Sequence, residues 1–124
     1  MMMLLIAIAA FLASAAQPAH AQSQSIPGLI ASKETAALSF EDRLAAFDAE
    51  QAVLAKGGLV TGFDWKGPKG AYGTIIVGGV VPQPGTFSHC RRFIHIVHHK
   101  NDGGRNPTFH GTICRDSDGK WRAK

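Results

Sequence analysis

The spacing of hydrophobic residues divides the chain into three parts. Residues 1–16 are apolar apart from Ser14 and carry no charge. Residues 38–58 repeat apolar side chains at helical spacing, and the rest consists of short runs rich in β-branched residues, separated by glycine and proline. Such patterns are typical of an export leader or membrane anchor, an amphipathic helix and β-strands, respectively. The sequence therefore predicts one α+β domain behind an apolar N-terminal segment.

The helical segment has recognisable ends. Ser39 followed by Asp42 resembles a capping box, and Gly57-Gly58 supplies the left-handed residue that ends a helix. The spacing places one apolar stripe, interrupted by Gln51, on Phe40, Leu44, Phe47 and Leu54. A single helix of this kind is unstable alone and needs a sheet to pack on.

Strand-forming runs follow the helix. They are LVTGFDWK (59–66), AYGTIIVGGVV (71–81), SHCRRFIHIVHHK (88–100), TFHGTICR (108–115) and a short last segment carrying Trp121. Short connections between consecutive runs favour an antiparallel meander. The expected fold is α+β, with one N-terminal helix packed on a small meander of about four strands.

The N-terminal segment resembles a signal peptide. Ala19-His20-Ala21 fits the small-x-small pattern read by signal peptidase, which predicts a leader of residues 1–21 and a mature chain that begins at Gln22. The alternative is a retained anchor, but a span needs about 20 apolar residues. Residues 22–37 are then interpreted as a flexible tether and residues 38–124 as the domain.

Two cysteines remain, and an oxidising compartment would allow them to pair. If the third and fourth strands form a hairpin about NDGGRN, placing Cys90 opposite Cys114 also centres the turn on Asp102. Opposed residues of an antiparallel pair lie within disulfide range. We predict a disulfide that fixes strand register; a redox-active pair is the alternative, without the Cys-x-x-Cys spacing that would favour it.

Charge is divided unevenly between the two halves of the predicted mature chain. Residues 22–64 contain three basic and six acidic side chains, whereas residues 65–124 contain ten basic and three acidic ones. A basic face can attract anionic partners, although it can also serve solubility alone. We expect anionic envelope components such as lipopolysaccharide or a wall polymer, or an envelope protein, and no specific nucleic acid.

Enzymatic constellations are missing from the sequence. The chain has no Gly-x-Ser-x-Gly elbow and no phosphate-binding loop, and Asp116 and Asp118 lie in a turn. His95 and His99 share a strand face but lie about 13 Å apart, too far for one metal ion. We expect no catalytic residues, no cofactor and no metal site, and we interpret the strand histidines as exposed.

Arginine and tryptophan residues offer a possible binding patch near the predicted disulfide. Arg stacks on indole rings and grips phosphate or carboxylate, which favours a patch of Trp65, Arg91, Arg92, Arg115 and Trp121. The alternative is that the arginines form a solvated basic rim and the tryptophans cover core edges.

The order of these elements resembles the 17 kDa surface antigen family of bacterial outer-membrane proteins, specifically its C-terminal domain. The resemblance covers residues 38–122 and is carried by Leu38-Ser39 with Asp42, Trp65, Gly67 to Gly73, Cys90-Arg91, and GTICR (111–115) with Asp118-Gly119 and Trp121. It implies an envelope-associated antigen or structural protein without known catalytic residues. The lipoprotein cysteine and glycine-zipper segment common in that family are missing here.

Three functional hypotheses follow. The first is an exported, non-enzymatic structural or interaction protein of a Gram-negative envelope, in the periplasm, the outer membrane or at the cell surface, with no transmembrane span in the mature chain. The second is a soluble periplasmic binding or inhibitor protein that uses the basic sheet face. The third, a metal carrier, depends on the histidines alone.

Overall fold

The computed structural model describes Ile26, residues 28–82 and residues 89–124. The predicted leader and its cleavage residues Ala19, Ala21 and Gln22 lie outside the described residues. The elements in chain order are α1 (Phe40–Ala55), β1 (Val60–Lys66), β2 (Tyr72–Val80), β3 (Cys90–His98), β4 (Thr108–Arg115) and β5 (Trp121–Ala123). The strands form one antiparallel sheet in the order β1-β2-β3-β4-β5, and α1 packs against β1 and β2. The predicted α+β meander is confirmed, with the Trp121 segment forming a short fifth strand.

Helix α1 begins and ends as its sequence predicts. The Ser39 hydroxyl accepts a hydrogen bond from the Asp42 N–H at 3.1 Å, and the chain leaves the helix at Gly57, with φ of 71°. The Asp42 carboxylate, however, accepts hydrogen bonds from the N–H groups of Lys69 and Ala71, at 2.8 and 3.2 Å. Only the serine half of a capping box is therefore present, and the aspartate ties α1 to the β1–β2 turn.

The inner face of α1 differs from the predicted stripe. Phe40 and Leu44 are 37% and 41% exposed. The helix instead buries Asp42, Ala46, Ala49, Glu50, Val53 and Leu54. Small side chains let a helix lie close to a sheet, and the two buried acids have backbone N–H partners, so this face can be interior although it is less apolar. The prediction is therefore wrong for Phe40 and Leu44 and right for Leu54, because apolar residues at helical spacing do not reveal which acidic side chains find buried donors.

The core lies between α1 and one face of the sheet. Alternate residues of the strands point into it, and those fully buried include Ile75, Phe93, Val97 and Ile113. The opposite face of β2 and β3 carries side chains of intermediate exposure, among them Ile76, Ile94 and Ile96. The sheet thus has one covered face and one that no described element covers.

The segment before α1 belongs to the folded unit. Ile30, Ala31, Thr35 and Leu38 are buried, and the Thr35 hydroxyl and N–H both bond the Ala31 carbonyl. The predicted flexible tether of residues 22–37 therefore does not describe residues 28–37, which pack against the domain. Their turn signals, including Gly28 at φ of 84°, mark a compact turn rather than a linker.

The β3–β4 hairpin has the predicted register. Cys90 pairs with Cys114, Arg92 with Thr112, and Ile94 with His110. The two cysteines form a disulfide, their Cα atoms lie 4.1 Å apart, and both residues are buried. Because the neighbouring Arg115 N–H bonds the His89 carbonyl at 2.9 Å, the cysteines occupy a non-hydrogen-bonded pair, where strands approach most closely.

Candidate functional site

A buried hydrogen-bonded chain joins the helix to the sheet. The Trp65 indole N–H donates to His95 Nε2 at 2.8 Å, and His95 Nδ1 lies 2.7 Å from Glu50 Oε2. His95 and Glu50 are fully buried, and Trp65 is 7% exposed. Since the indole can only donate, Nε2 must accept, and the ring proton therefore lies on Nδ1 and is donated to the carboxylate.

Glu50 completes this chain through the segment before α1. Its carboxylate also accepts hydrogen bonds from the N–H groups of Ile30 and Ala31, at 2.7 and 3.2 Å. Three donors, two backbone N–H groups and the His95 ring, thus converge on one buried carboxylate and satisfy it. Glu50 links three separate parts of the fold.

This arrangement orients a histidine with a carboxylate, as many catalytic sites do, but it leaves no reactive atom free. His95 Nε2 is occupied by the indole, and the ring contacts no solvent. We interpret Trp65, His95 and Glu50 as a structural link. The sequence pattern did not predict this link, and the prediction that the strand histidines are exposed is wrong for His95. The available signal was the alternation of His95 with Phe93 and Val97 on the buried side of β3.

The other strand histidines have local partners or line surface depressions. His98 Nδ1 lies 2.7 Å from Asn106 Oδ1, and its ring stacks on Tyr72 with centroids 4.7 Å apart. Within residues 28–82 and 89–124, no group of three or more His, Cys, Asp or Glu side chains is placed to hold a metal ion.

Asp102 organises the β3–β4 turn. Its carboxylate accepts hydrogen bonds from the His99 and Gly104 N–H groups, at 3.2 and 2.7 Å. These bonds, that from His99 first, lower the pKa of the Asp102 carboxyl below its ordinary value. The turn centre inferred from the cysteine register thus carries the residue that stabilises the turn.

The predicted binding patch is divided by the sheet. Arg91, Arg115 and Trp121 line one cavity on the helix side, whereas Arg92 lines a smaller cavity on the opposite face. Trp65 belongs to neither cavity, because it is buried in the core. The division follows from strand alternation, since adjacent residues 91 and 92 point to opposite faces.

The helix-side cavity, which we call the arginine cavity, has a volume of about 490 Å³. The C-terminal part of α1 lines one side of it, and strand residues and adjoining turns line the rest. The lining residues are Gln51, Leu54, Ala55, Gly57, His89, Arg91, Arg115, Gly119 and Trp121. His89, directly before β3, accepts a hydrogen bond from the Arg115 N–H of β4, and Arg115 pairs with Trp121 of β5. Helix α1 packs on β1 and β2, and the cavity lies between the C-terminal end of α1 and the strands β4 and β5.

Charges around the arginine cavity are predominantly positive. Arg91 is held by the carbonyls of Gly78 and Gly57, at 3.4 and 3.5 Å, which places a cation beside the C-terminal end of α1. In the adjoining turn, Asp116 and Asp118 are both paired with Arg122. Among the described residues, none that lines the cavity is acidic. Such a lining can hold an oxyanion.

Comparisons of this chain with known protein families, curated proteins and solved structures return no match. In the part of the chain that the structure describes, no helix is long and apolar enough to cross a membrane.

Proposed function

We propose that this protein is an exported, non-enzymatic component of the bacterial cell envelope that acts by binding. The observation that carries the proposal is the Cys90–Cys114 disulfide, since such bonds persist in oxidising compartments. The small-x-small pattern before Gln22 and the resemblance of the closing GTICR…DGKW motif to the surface antigen family support the same location.

The basic half of the domain favours an anionic envelope partner. Residues 65–124 carry ten basic side chains, and the arginine cavity gathers two of them beside an aromatic residue on one face. Lipopolysaccharide and wall polymers present phosphate or carboxylate groups, which match this charge. The same cavity also supports the second candidate, a soluble periplasmic binding or inhibitor protein.

Fractionation with mass spectrometry tests the proposal. The full chain, expressed in a Gram-negative host, should yield a protein of residues 22–124 that lacks two hydrogens relative to the dithiol. We expect it in outer-membrane or vesicle fractions, whereas complete release by osmotic shock would favour the soluble alternative. An uncut leader or two free thiols in protein isolated with alkylation would overturn export.

A further inference from the structure

We propose that the arginine cavity binds an anionic sugar, meaning a saccharide that carries a phosphate or carboxylate group. The proposal deepens the proposed function, on which the choice of a sugar rests. At about 490 Å³ the cavity is within the range of small-molecule sites, roughly 300–1,000 Å³. It is open to solvent, so a sugar at the end of a larger polymer could enter.

Arg91 and Arg115 can bind the charged group of such a ligand. Two long hydrogen bonds to backbone carbonyls, at 3.4 and 3.5 Å, orient the Arg91 guanidinium loosely and leave further N–H donors unused. Arg115 is exposed and lies one strand away on the same face. Two guanidinium groups at one opening can hold an oxyanion with paired, charge-assisted hydrogen bonds.

The ring half of the ligand has an apolar surface beside the arginines. Trp121 is directly opposite Arg115, packs against the core and is only partly buried. The C–H groups of a pyranose ring can pack on an indole through dispersion while its hydroxyls remain in water. Leu54 and Ala55 of α1 supply the facing apolar wall. Charge and flat apolar surface are thus adjacent, as a charged sugar requires.

Nuclear magnetic resonance can test the site directly, because the chain contains two tryptophans in different environments. The protein purified from cells expressing the full chain is titrated separately with glucose 6-phosphate, glucuronate, glucose and inorganic phosphate. A Trp121→Phe variant assigns the two indole N–H signals. The Trp65 signal serves as an internal fold control, because its N–H is buried and bonded to His95.

We expect at least one charged sugar to move the Trp121 signal and leave the Trp65 signal in place. The phosphate and carboxylate arms distinguish a ligand that carries a sugar phosphate from one that carries a uronate. Glucose and inorganic phosphate should each bind at least tenfold more weakly. Arg115→Gln should weaken binding at least tenfold, whereas Arg92→Gln, on the opposite face, should change it less than twofold.

Several results would overturn the site. These are no movement of the Trp121 signal with either charged sugar, equal binding of inorganic phosphate, or equal losses in Arg115→Gln and Arg92→Gln. An unchanged Trp65 signal shows that a variant is still folded. If the protein binds the sugar but is not exported, the proposed function is overturned and the binding site stands. If the protein is exported but binds no charged sugar, the binding site is overturned and the proposed function stands.

Discussion

The Glu50 carboxylate offers the sharpest test of how this domain is held together. Replacing Glu50 by Gln keeps the size of the side chain but exchanges one acceptor oxygen for an NH₂ group. In the structure three donors meet the carboxylate: the N–H groups of Ile30 and Ala31, and His95 Nδ1. The single amide oxygen can accept only some of these hydrogen bonds, so at least one buried donor would then face the new NH₂ group, which is also a donor.

The effect continues along the buried chain. If His95 moved its proton to Nε2 in order to accept from the new amide, Nε2–H would face the Trp65 indole N–H. With either tautomer one buried group stays unsatisfied, which costs about 1–3 kcal/mol of stability. The loss of a charge-assisted hydrogen bond removes about 1.5–3 kcal/mol more. We expect Glu50→Gln to lower the free energy of unfolding by about 3 kcal/mol, a large part of the roughly 5–15 kcal/mol typical of native proteins.

Urea unfolding followed by tryptophan fluorescence measures this loss, with Asp48→Asn as the matched control. Asp48 lies on the same helix but is exposed, and its replacement should change stability by less than about 0.5 kcal/mol. Trp65→Phe, followed by circular dichroism, should show coupling to Glu50→Gln of more than about 0.5 kcal/mol in a double-mutant cycle, because His95 connects them. A loss below about 0.5 kcal/mol in Glu50→Gln, or equal losses in both acidic variants, would refute this reasoning.

Three further predictions concern the sheet and its turns. Replacing both cysteines by alanine should lower the free energy of unfolding by about 3 kcal/mol, measured in urea, because the closed loop has a sequence separation of 24; an unchanged midpoint would contradict the role of the disulfide. Gly73→Ala should lower the free energy of unfolding by about 1–3 kcal/mol, measured by thermal unfolding, because an added Cβ would lie 2.6 Å from Trp65 Nε1. Gly79→Ala on the same strand is the control, because its added Cβ meets nothing within 4 Å and should be tolerated. Equal effects of the two substitutions would refute the close approach. Carbon-detected nuclear magnetic resonance should give the Asp102 carboxyl a pKa below the ordinary aspartate value. The stabilisation of the turn by Asp102 is then present above the unfolded-state pKa and is lost as pH falls through the folded-state pKa. An ordinary or raised pKa would contradict the hydrogen bonds described.

Local signals in the sequence predict the elements well. Ser39 and Gly57 mark the ends of α1 because capping and left-handed backbone depend on a few neighbouring residues. The two cysteines and the turn at Asp102 together predict the β3–β4 register, since opposed positions in a hairpin follow from the turn centre. These features require no knowledge of distant contacts.

The inner face of α1 could not be read in the same way. Apolar side chains at helical spacing favoured Phe40 and Leu44, yet the structure buries Asp42 and Glu50. A buried acid is stable only where donors converge on it, and these donors come from residues 30–31 and from the β1–β2 turn. Such convergence depends on packing between segments that are far apart in sequence.

For the candidate site, too, some features follow from the sequence and others only from the tertiary structure. The sequence by itself determined which side chains could form a basic and aromatic patch, as well as the alternation that separates Arg91 from Arg92. Only the tertiary structure decided that Trp65 is buried against His95, and that Arg91, Arg115 and Trp121 share one cavity. The physical reason is that hydrogen bonding and chain geometry act between neighbours, whereas the placement of α1 on β1 and β2 depends on the packing of the whole domain.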